Sequence, residues 1–553
     1  MNKELSLYNL WCEKAVLDPE LQAELLSIKG NDDAIKDRFY RDLEFGTGGL
    51  RGVIGAGTFR LNVYTIRRAT QGLADYVNET YENPCMAIAH DSRINSDVFT
   101  KAAACVLAAN GIKVYLYKEL MPTPMLSFAV RYLKCNAGIV VTASHNPAKY
   151  NGYKVYGDDG CQMTLDAAEK VLEKISSVDM FEGVKDTDFD NAVENGMIEY
   201  IGDDVINAYF DKVVEQGINT ELCASSGLKV VYTPLNGTGN KPVRAILKRI
   251  GINDVTVVPE QENPDGHFPT CPFPNPEIRE ALALGLELCE KCKPDLLLAT
   301  DPDADRMGIA VRDNDGKMVR FNGNQTGSML TYYILTRWKE LGKIRPDDYV
   351  VKTIVTTETI AEIAHSFGVK VYNVLTGFKY IAEVVKRNEG KGEFICGGEE
   401  SFGFNVGEFV RDKDAQIACS MVAECAAWAA DQGMTLYQLM QKIYKEYGYR
   451  KEGLVSIVRK GISGAKEIQD IMSDFRNNPP AKLLDSPVVK VIDYLDSKAT
   501  GLPVSNVLQF FDNDGDVVSI RPSGTEPKIK FYFGAKGDDA ETKLEKLKDE
   551  FVK

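Results

Sequence analysis

Three aspartates spaced two residues apart, Asp301, Asp303 and Asp305, stand in the segment Asp301-Pro302-Asp303-Ala304-Asp305-Arg306, directly behind the apolar run Leu296-Leu297-Leu298-Ala299. Alternate residues of an extended segment point the same way, so these carboxylates are expected to converge on one cation; on a helix they would not. Carboxylate oxygens on a tight loop suit a hard ion. So few protein ligands leave room for further oxygen ligands, which favours Mg²⁺ over Ca²⁺. Arg306 at the sixth position and Arg312 at the twelfth exclude an EF-hand. The bland alternative is an acidic surface turn, but three clustered carboxylates repel one another and demand a counter-charge.

A second segment, Thr142-Ala143-Ser144-His145-Asn146-Pro147, follows the apolar run Ala137-Gly138-Ile139-Val140-Val141. A serine at a strand end, on a turn of small residues stopped by proline, is held where a substrate can reach it. It is not a hydrolase elbow, because Gly-x-Ser-x-Gly is absent. Alone, Ser144 reads as an ordinary turn serine. An acidic metal loop elsewhere in the chain changes that reading, since its cation would neutralise a phosphoserine of charge about −1.5 to −2. A third cluster, Arg521-Pro522-Ser523-Gly524-Thr525-Glu526-Pro527-Lys528-Ile529-Lys530, lies between two strand-like runs. Its guanidinium fork, hydroxyls and glycine-exposed N–H groups match a phosphate dianion. A fourth, Gly397-Gly398-Glu399-Glu400-Ser401-Phe402-Gly403, sets carboxylate and hydroxyl groups two apart, suited to neighbouring sugar hydroxyls. The glycine-dense stretch Glu44–Gly52, with Arg51, is neither Gly-x-Gly-x-x-Gly nor a P-loop, so no nucleotide site is indicated.

The elements that must position these loops are short β-rich runs alternating with helical stretches: Ile112–Tyr117, Gly138–Thr142, Val230–Thr233, Asp295–Ala299 and Val350–Thr353. That rhythm predicts strand–helix units and parallel or mixed sheets. The motifs sit at the carboxyl ends of such strands, where ligands bind in α/β sheets. Lys154 is placed on a strand Tyr153-Lys154-Val155 after an Asn151-Gly152 turn. With 553 residues and 44% hydrophobic composition, the length corresponds to roughly three to four domains. The 65 basic against 80 acidic residues give a net charge of −15, which repels nucleic acid and anionic membrane; a phosphorylated small molecule needs locally gathered cations. Met1–Lys14 lacks the apolar core of a signal peptide, and no run is long enough to span a bilayer. The twelve cysteines sit mostly alone and read as reduced thiols of a cytoplasmic protein, with Cys289 and Cys292 as ordinary helix residues.

Taken together and in this order, the five segments closely resemble the α-D-phosphohexomutase family over nearly the whole chain. Phe45–Gly52 is most similar to its phosphoglucomutase and phosphopentomutase branch, and Glu399–Gly403 looks like the glucose-preferring form. The resemblance implies an α/β fold of three similar mixed-sheet α/β domains around a central cleft, plus a smaller α+β C-terminal domain. The expected boundaries are 1–205, with an N-terminal helical extension and the phosphoserine loop; 206–315, with the metal loop; 316–446, with the sugar loop; and 447–553, with the phosphate loop. It implies Ser144, His145, Lys154, Arg51 and Arg306 around the transferring group, and Mg²⁺ on Asp301, Asp303, Asp305 and Ser144. Thr376, Gly377, Glu399, Ser401, Arg521, Ser523, Gly524, Thr525 and Lys530 are implied to bind the sugar phosphate. The expected reaction interconverts glucose 1-phosphate and glucose 6-phosphate through a phosphoserine and bound glucose 1,6-bisphosphate. Pentose or mannose phosphates, or a synthase that releases the bisphosphate, remain open on the same scaffold. A non-catalytic sugar-phosphate sensor would need neither the serine nor the aspartates.

Overall fold

The computed structural model describes residues 3–46, 48–459, 461–523 and 528–552. The chain forms two compact units. The first comprises Met1–Arg320, Val385–Glu389 and Ser401–Gly433, and the second Phe321–Val384, Gly390–Glu400 and Met434–Lys553.

In the first unit the helices Lys3–Lys14, Pro19–Ser27 and Asp32–Phe39 form the N-terminal extension. Trp11, almost fully buried, meets Phe39, Tyr64 and Phe181 edge-on at 5.5 to 5.8 Å between ring centroids. A six-stranded sheet follows, of β1 (Gly49–Val53), β2 (Cys85–His90), β3 (Lys113–Leu116), β4 (Ala137–Val141), β5 (Tyr150–Gly157) and β6 (Ile198–Tyr200). Its order is β1-β5-β4-β2-β3-β6, parallel from β4 through β6 and antiparallel at β1/β5 and β5/β4. Every residue of β4 is buried, as its unbroken apolar run requires of a strand covered on both faces. The second sheet contains β7 (Lys229–Thr233), β8 (Asp254–Val257), β9 (Leu296–Thr300), β10 (Met307–Arg312) and β11 (Met318–Phe321), in the order β11-β10-β9-β7-β8.

The topology places the site loops. In the first sheet the chain leaves β2 toward β3 on one side and returns to β4 on the other. In the second it leaves β7 toward β8 and returns to β9. The carboxyl ends of β2 and β4, and of β7 and β9, therefore border crevices at topological switch points, where α/β sheets bind ligands. The serine segment follows β4 and the aspartate segment follows β9. The second unit repeats the pattern with parallel β12 (Tyr349–Thr353), β13 (Lys370–Val374) and β14 (Phe394–Gly398), ordered β13-β12-β14, and Glu399 follows β14. Its C-terminal part is an antiparallel sheet of Arg450–Val458, Lys528–Lys536, Val517–Pro522, Leu508–Asp512, Ser486–Asp493 and Lys482–Leu483, in that spatial order. Three mixed or parallel α/β assemblies and a C-terminal antiparallel sheet thus match the expected fold class. Cys289 and Cys292 are residues of the helix Ala283–Cys292, as expected.

One local expectation is corrected. Asn151 and Gly152 form no turn but lie inside β5. Gly152 is there because backbone crowds it: a Cβ would stand 2.4 Å from the Thr142 carbonyl oxygen and 2.9 Å from that of Leu50. Gly152→Ala is expected to lower the thermal unfolding midpoint of this unit by several degrees, since overpacking costs about 1–3 kcal/mol. Gly157→Ala, whose Cβ would approach only the Asp159 side chain at 3.3 Å, should move it much less. Equal midpoints by calorimetry would remove the close-approach explanation.

Candidate active site

Beyond the end of β4 the chain turns sharply, and Ser144 adopts φ +53°, a left-handed conformation that costs a non-glycine residue about 1–3 kcal/mol. The loop around it is over-determined. Thr142 Oγ1 accepts the Ser144 N–H at 2.9 Å and donates its own proton to Asp91 Oδ2 at 2.6 Å. The Arg93 guanidinium donates to the backbone carbonyls of Ser144 (2.6 Å), Pro147 (3.1 Å), Tyr150 (2.9 Å) and Asn146. Arg93 also pairs with Asp91 at 3.3 Å, both side chains fully buried, and lies 5.1 Å over the Phe268 ring. A buried guanidinium with this many acceptors stiffens the turn rather than destabilising it.

The aspartate loop is the connection of the antiparallel hairpin β9/β10, with Met307 opposite Thr300. It is a tight turn, not an extended segment: the Ala304 N–H reaches the Asp301 carbonyl at 2.9 Å, and Ala304 has φ +47°. The turn still brings the three carboxylates together, with ligand oxygens within 4.8 Å of one another and all three side chains buried. Asp301 Oδ1 accepts the N–H groups of Asp305 (3.1 Å) and Arg306 (3.0 Å). Asp303 Oδ2 accepts from Thr123 Oγ1 (3.0 Å) and Lys154 Nζ (2.9 Å). Asp305 Oδ2 faces Lys413 Nζ at 3.2 Å and Lys154 Nζ at 3.7 Å.

The two loops meet. Ser144 Oγ donates to Asp301 Oδ2 at 3.0 Å, across 157 residues of sequence, and His145 Nδ1 lies 3.1 Å from the same Oγ. Since the single hydroxyl proton serves Asp301, the imidazole is the donor in the second contact. Burial, with the neighbouring Arg306 and Arg51 guanidinium groups, drives the His145 imidazole down to about 2, so the ring is neutral. Arg51 is on β1; desolvation of its guanidinium lowers its pKa, with Asp303 and Asp305 opposing and Arg306 adding to that effect.

The donor set fits a hard divalent cation. Burial and the two neighbouring carboxylates push Asp301 well above the usual carboxylate range, and burial with Asp303 also raises Asp305. For Asp303, burial works in the same sense, but Lys154 overcomes it and holds the group low. Asp303 Oδ1 and Asp305 Oδ1 are buried and have no hydrogen-bond partner among the described residues. Buried carboxylate oxygens without donors are costly unless a cation completes them, and an all-oxygen set suits Mg²⁺.

The remaining sequence-predicted residues divide between the units. Ser401 belongs to the first, beside Phe402, whose carbonyl accepts the Met307 N–H at 3.1 Å. Thr376, Gly377, Glu399, Arg521, Ser523 and Lys530 belong to the second. There Gly377, with φ +126°, donates its N–H to Glu399 Oε1 at 2.9 Å, and Thr376 Oγ1 is buried without a hydrogen-bond partner among the described residues. Arg521 hydrogen-bonds Tyr532, and Lys530 acts electrostatically on Glu400, whose carboxyl is pushed up to about 7 chiefly by burial and by Glu399. Gly524 and Thr525 lie outside the described residues.

Sequence reasoning missed Thr123, Lys413, Asp91 and Arg93. Lys413 is the clearest omission: it pairs with Asp305 and Asp412, and Asp412 also receives the Tyr156 hydroxyl at 2.6 Å. Its signal was the alternating run Arg411-Asp412-Lys413-Asp414 directly before an apolar helix.

Comparison with known proteins finds four domain families in succession along the chain. The chain matches the phosphoglucomutase/phosphomannomutase α/β/α domain I over residues 42–181, domain II over 207–316, domain III over 322–447 and the C-terminal domain over 459–553. It is 37% identical over 503 residues to a phosphoglucomutase of Staphylococcus saprophyticus, covering 89% of this chain and 90% of that protein. It is 34% identical over 551 residues to a phosphoglucomutase of Staphylococcus epidermidis, covering 98% and 99%. Among solved structures, the open form of the phosphoglucomutase parafusin from Paramecium superposes with TM-score 0.72 at 17% identity, covering 93% of this chain and 95% of that one. A putative phosphomannomutase from Thermus thermophilus gives 0.71 at 23% identity, covering 93% and 99%. These structural likenesses speak for the fold, and the sequence relatives for descent: the chain belongs to the phosphoglucomutase/phosphomannomutase family.

Proposed function

We propose that this chain is a phosphoglucomutase that interconverts glucose 1-phosphate and glucose 6-phosphate, with Ser144 carrying the phosphoryl group and Mg²⁺ held by Asp301, Asp303 and Asp305. The observation that carries this reading is the 3.0 Å contact between Ser144 Oγ and a buried aspartate triad with two unpartnered oxygens. The glucose preference rests on the relatives named phosphoglucomutase at 34% and 37% identity.

In the proposed cycle the free hydroxyl of glucose 1-phosphate attacks phosphorus on Ser144, the P–Oγ bond breaks, and glucose 1,6-bisphosphate forms. The sugar turns end for end, the other phosphoryl group returns to Ser144, and glucose 6-phosphate leaves. Mg²⁺ held by Asp301, Asp303 and Asp305 would supply charge neutralisation for the transferring phosphoryl group. The chain supplies alignment. Arg93 and Thr142 hold the serine turn in place, Lys154 and Lys413 set positive charge against the aspartates, and Arg51, His145 and Arg306 line the space around Oγ. Arg521, Ser523, Gly524, Thr525 and Lys530 are assigned to the non-reacting phosphate, and Thr376, Gly377, Glu399 and Ser401 to sugar hydroxyls. Those hydroxyls must present alike in both orientations, so one reading group serves both half-reactions.

Ser144→Ala should reduce turnover about a thousandfold or more, and intact mass should show a phosphate on the purified wild-type chain but not on the variant. Near-normal turnover in the variant would reject the carrier. Rates with glucose, mannose, ribose and deoxyribose 1-phosphates, measured side by side, test the sugar; a pentose winning by kcat/KM moves the assignment to a phosphopentomutase. Product analysis without added bisphosphate separates a mutase from a bisphosphate synthase.

Asp303→Asn should shift the Mg²⁺ activation midpoint upward by at least about tenfold along with a lower maximal rate, and an unchanged titration would count against the triad. Arg93→Lys keeps the charge but not the fork. It should lower kcat about ten- to hundredfold with little change in KM, because the nucleophile is displaced while the sugar contacts stay. A variant that loses only thermal stability would make Arg93 a packing residue.

A further inference from the structure

At the ends of β2 and β4 remote from the serine loop, two cysteines lie side by side. Cys85 opens β2, and Cys135 stands two residues before β4. Asn136 ties the two segments together: its backbone N–H donates to the Cys85 carbonyl at 2.8 Å, and its side-chain oxygen accepts the Cys85 N–H at 3.0 Å. Cys85 Sγ lies 3.8 Å from the carbonyl oxygen of Lys134, the residue directly before Cys135. The two thiols hydrogen-bond each other. Met86 pairs with Ala137, so Cys85 and Cys135 stand one residue out of register on strands about 4.8 Å apart, a diagonal that still falls inside the Cα spacing a disulfide spans.

The pair is asymmetric. Cys85 is half-buried and reachable, while Cys135 is 2% exposed. The Cys135 S–H, as donor, pulls the Cys85 thiol down to about 7 against the opposing effect of burial, and Cys135 itself is driven up. The groups facing Cys85 act in both senses. Lys113 of β3 stands in register with it and favours the thiolate. Lys113 is itself paired with Glu199 of β6 at 2.8 Å, and Tyr115 also lies within electrostatic reach of Cys85. An accessible thiolate backed by a buried thiol is the arrangement of an attacking and a resolving cysteine.

We propose that Cys85 and Cys135 form a hydroperoxide-reactive dithiol that closes reversibly to a disulfide, a modification site separate from the serine and aspartate loops. The Cys85 thiolate attacks one oxygen of hydrogen peroxide. The O–O bond breaks, leaving Cys85 sulfenic acid and hydroxide, which takes a proton to become water. The Cys135 sulfur then attacks Cys85 sulfur, the S–S bond forms, and the sulfenic oxygen leaves as a second water. Two thiols give up two electrons and two protons, and the peroxide takes up both. A small-molecule dithiol reverses the step by its own oxidation. Without Cys135, the sulfenic acid has no internal partner, and a second peroxide molecule oxidises it to the sulfinic acid, itself leaving as water.

The test treats the full-length protein with equimolar hydrogen peroxide, blocks free thiols with iodoacetamide, and maps peptides without reduction. The expected product is a peptide pair linked through Cys85 and Cys135, abolished by dithiothreitol, which restores both thiols. In Cys135→Ser, given a further equivalent of peroxide, Cys85 should appear as sulfinic acid instead, and in Cys85→Ser, Cys135 should stay reduced. In wild type, alkylation of Cys85 should rise about tenfold per pH unit below about 7 and level off above it. Cys135→Ala, which removes the donor, should slow that alkylation roughly tenfold at pH 7. Recovery of both wild-type thiols unlinked, or Cys85 sulfinic acid forming equally fast with and without Cys135, overturns the proposal. An alkylation profile indifferent to Cys135 overturns it as well.

Discussion

Three buried carboxylates within ligand distance of one another set the terms for the rest of the site. Each costs several kcal/mol to remove from water, and each raises the cost of its neighbours. Lys154 and Lys413 answer part of that charge, and Arg306 approaches Asp305 only to 3.8 Å. Two oxygens have no donor among the described residues. The neighbouring Ser144 hydroxyl already touches Asp301, so esterifying it would bring a further charge of about −1.5 to −2 to the same place. On the proposed function, a phosphoserine beside this loop would call for a cation between them, so metal binding and phosphorylation of the serine would be thermodynamically linked rather than independent.

Holding that charge requires two loops from two sheets to meet at hydrogen-bond precision, and topology solves this before any side chain is chosen. Each loop leaves a central buried strand at a switch point, where neighbouring connections diverge and leave backbone free to face a ligand. The sheets are then clamped through the aspartate loop itself. Thr123, at the start of the helix Thr123–Tyr132, donates its N–H to the Asp303 carbonyl at 2.9 Å as well as its hydroxyl to the carboxylate. Thr238, following β7, donates its N–H to the Pro302 carbonyl at 2.8 Å. Backbone contacts of this kind fix distance without adding charge, whereas a further lysine would cancel the field that attracts the ion.

What the sequence discloses follows the same division. Ser144 and the aspartates were legible because chemistry-bearing residues stand at the ends of apolar runs, and because acidic residues seldom cluster without a counter-charge. Arg93, Thr123 and Lys413 were not, since their partners are distant in the chain: Lys413 meets Asp305 across more than a hundred residues, and Arg93 meets four carbonyl groups that carry no side-chain signature at all. The aspartate loop was found for a partly wrong reason. Alternation along an extended segment predicts convergence, but convergence here comes from a turn with Ala304 left-handed. Asn151-Gly152 misled in the opposite way. The dipeptide reads as a hairpin turn, yet the glycine serves a strand whose neighbours press too closely for a Cβ.

The net charge of −15 gains its meaning from this arrangement. A surface of that sign does not steer a dianionic sugar phosphate by long-range attraction, so recognition has to come from cations held at close range. In the first unit Lys154 and Lys413 are fixed by ion pairs to the aspartates, so their charge is already balanced locally and does not persist as a field at distance. In the second unit Arg521 and Lys530 stand beside Tyr532 and Glu400 instead, with Glu400 raised to about 7 and thus only partly charged at neutral pH. On the proposed function, a carboxyl raised in this way competes less with a phosphate for Arg521 and Lys530 than a fully charged carboxylate would. Binding of the second anion there should then draw Glu400 further toward its protonated form, because its carboxylate would compete with the phosphate for the same positive charge.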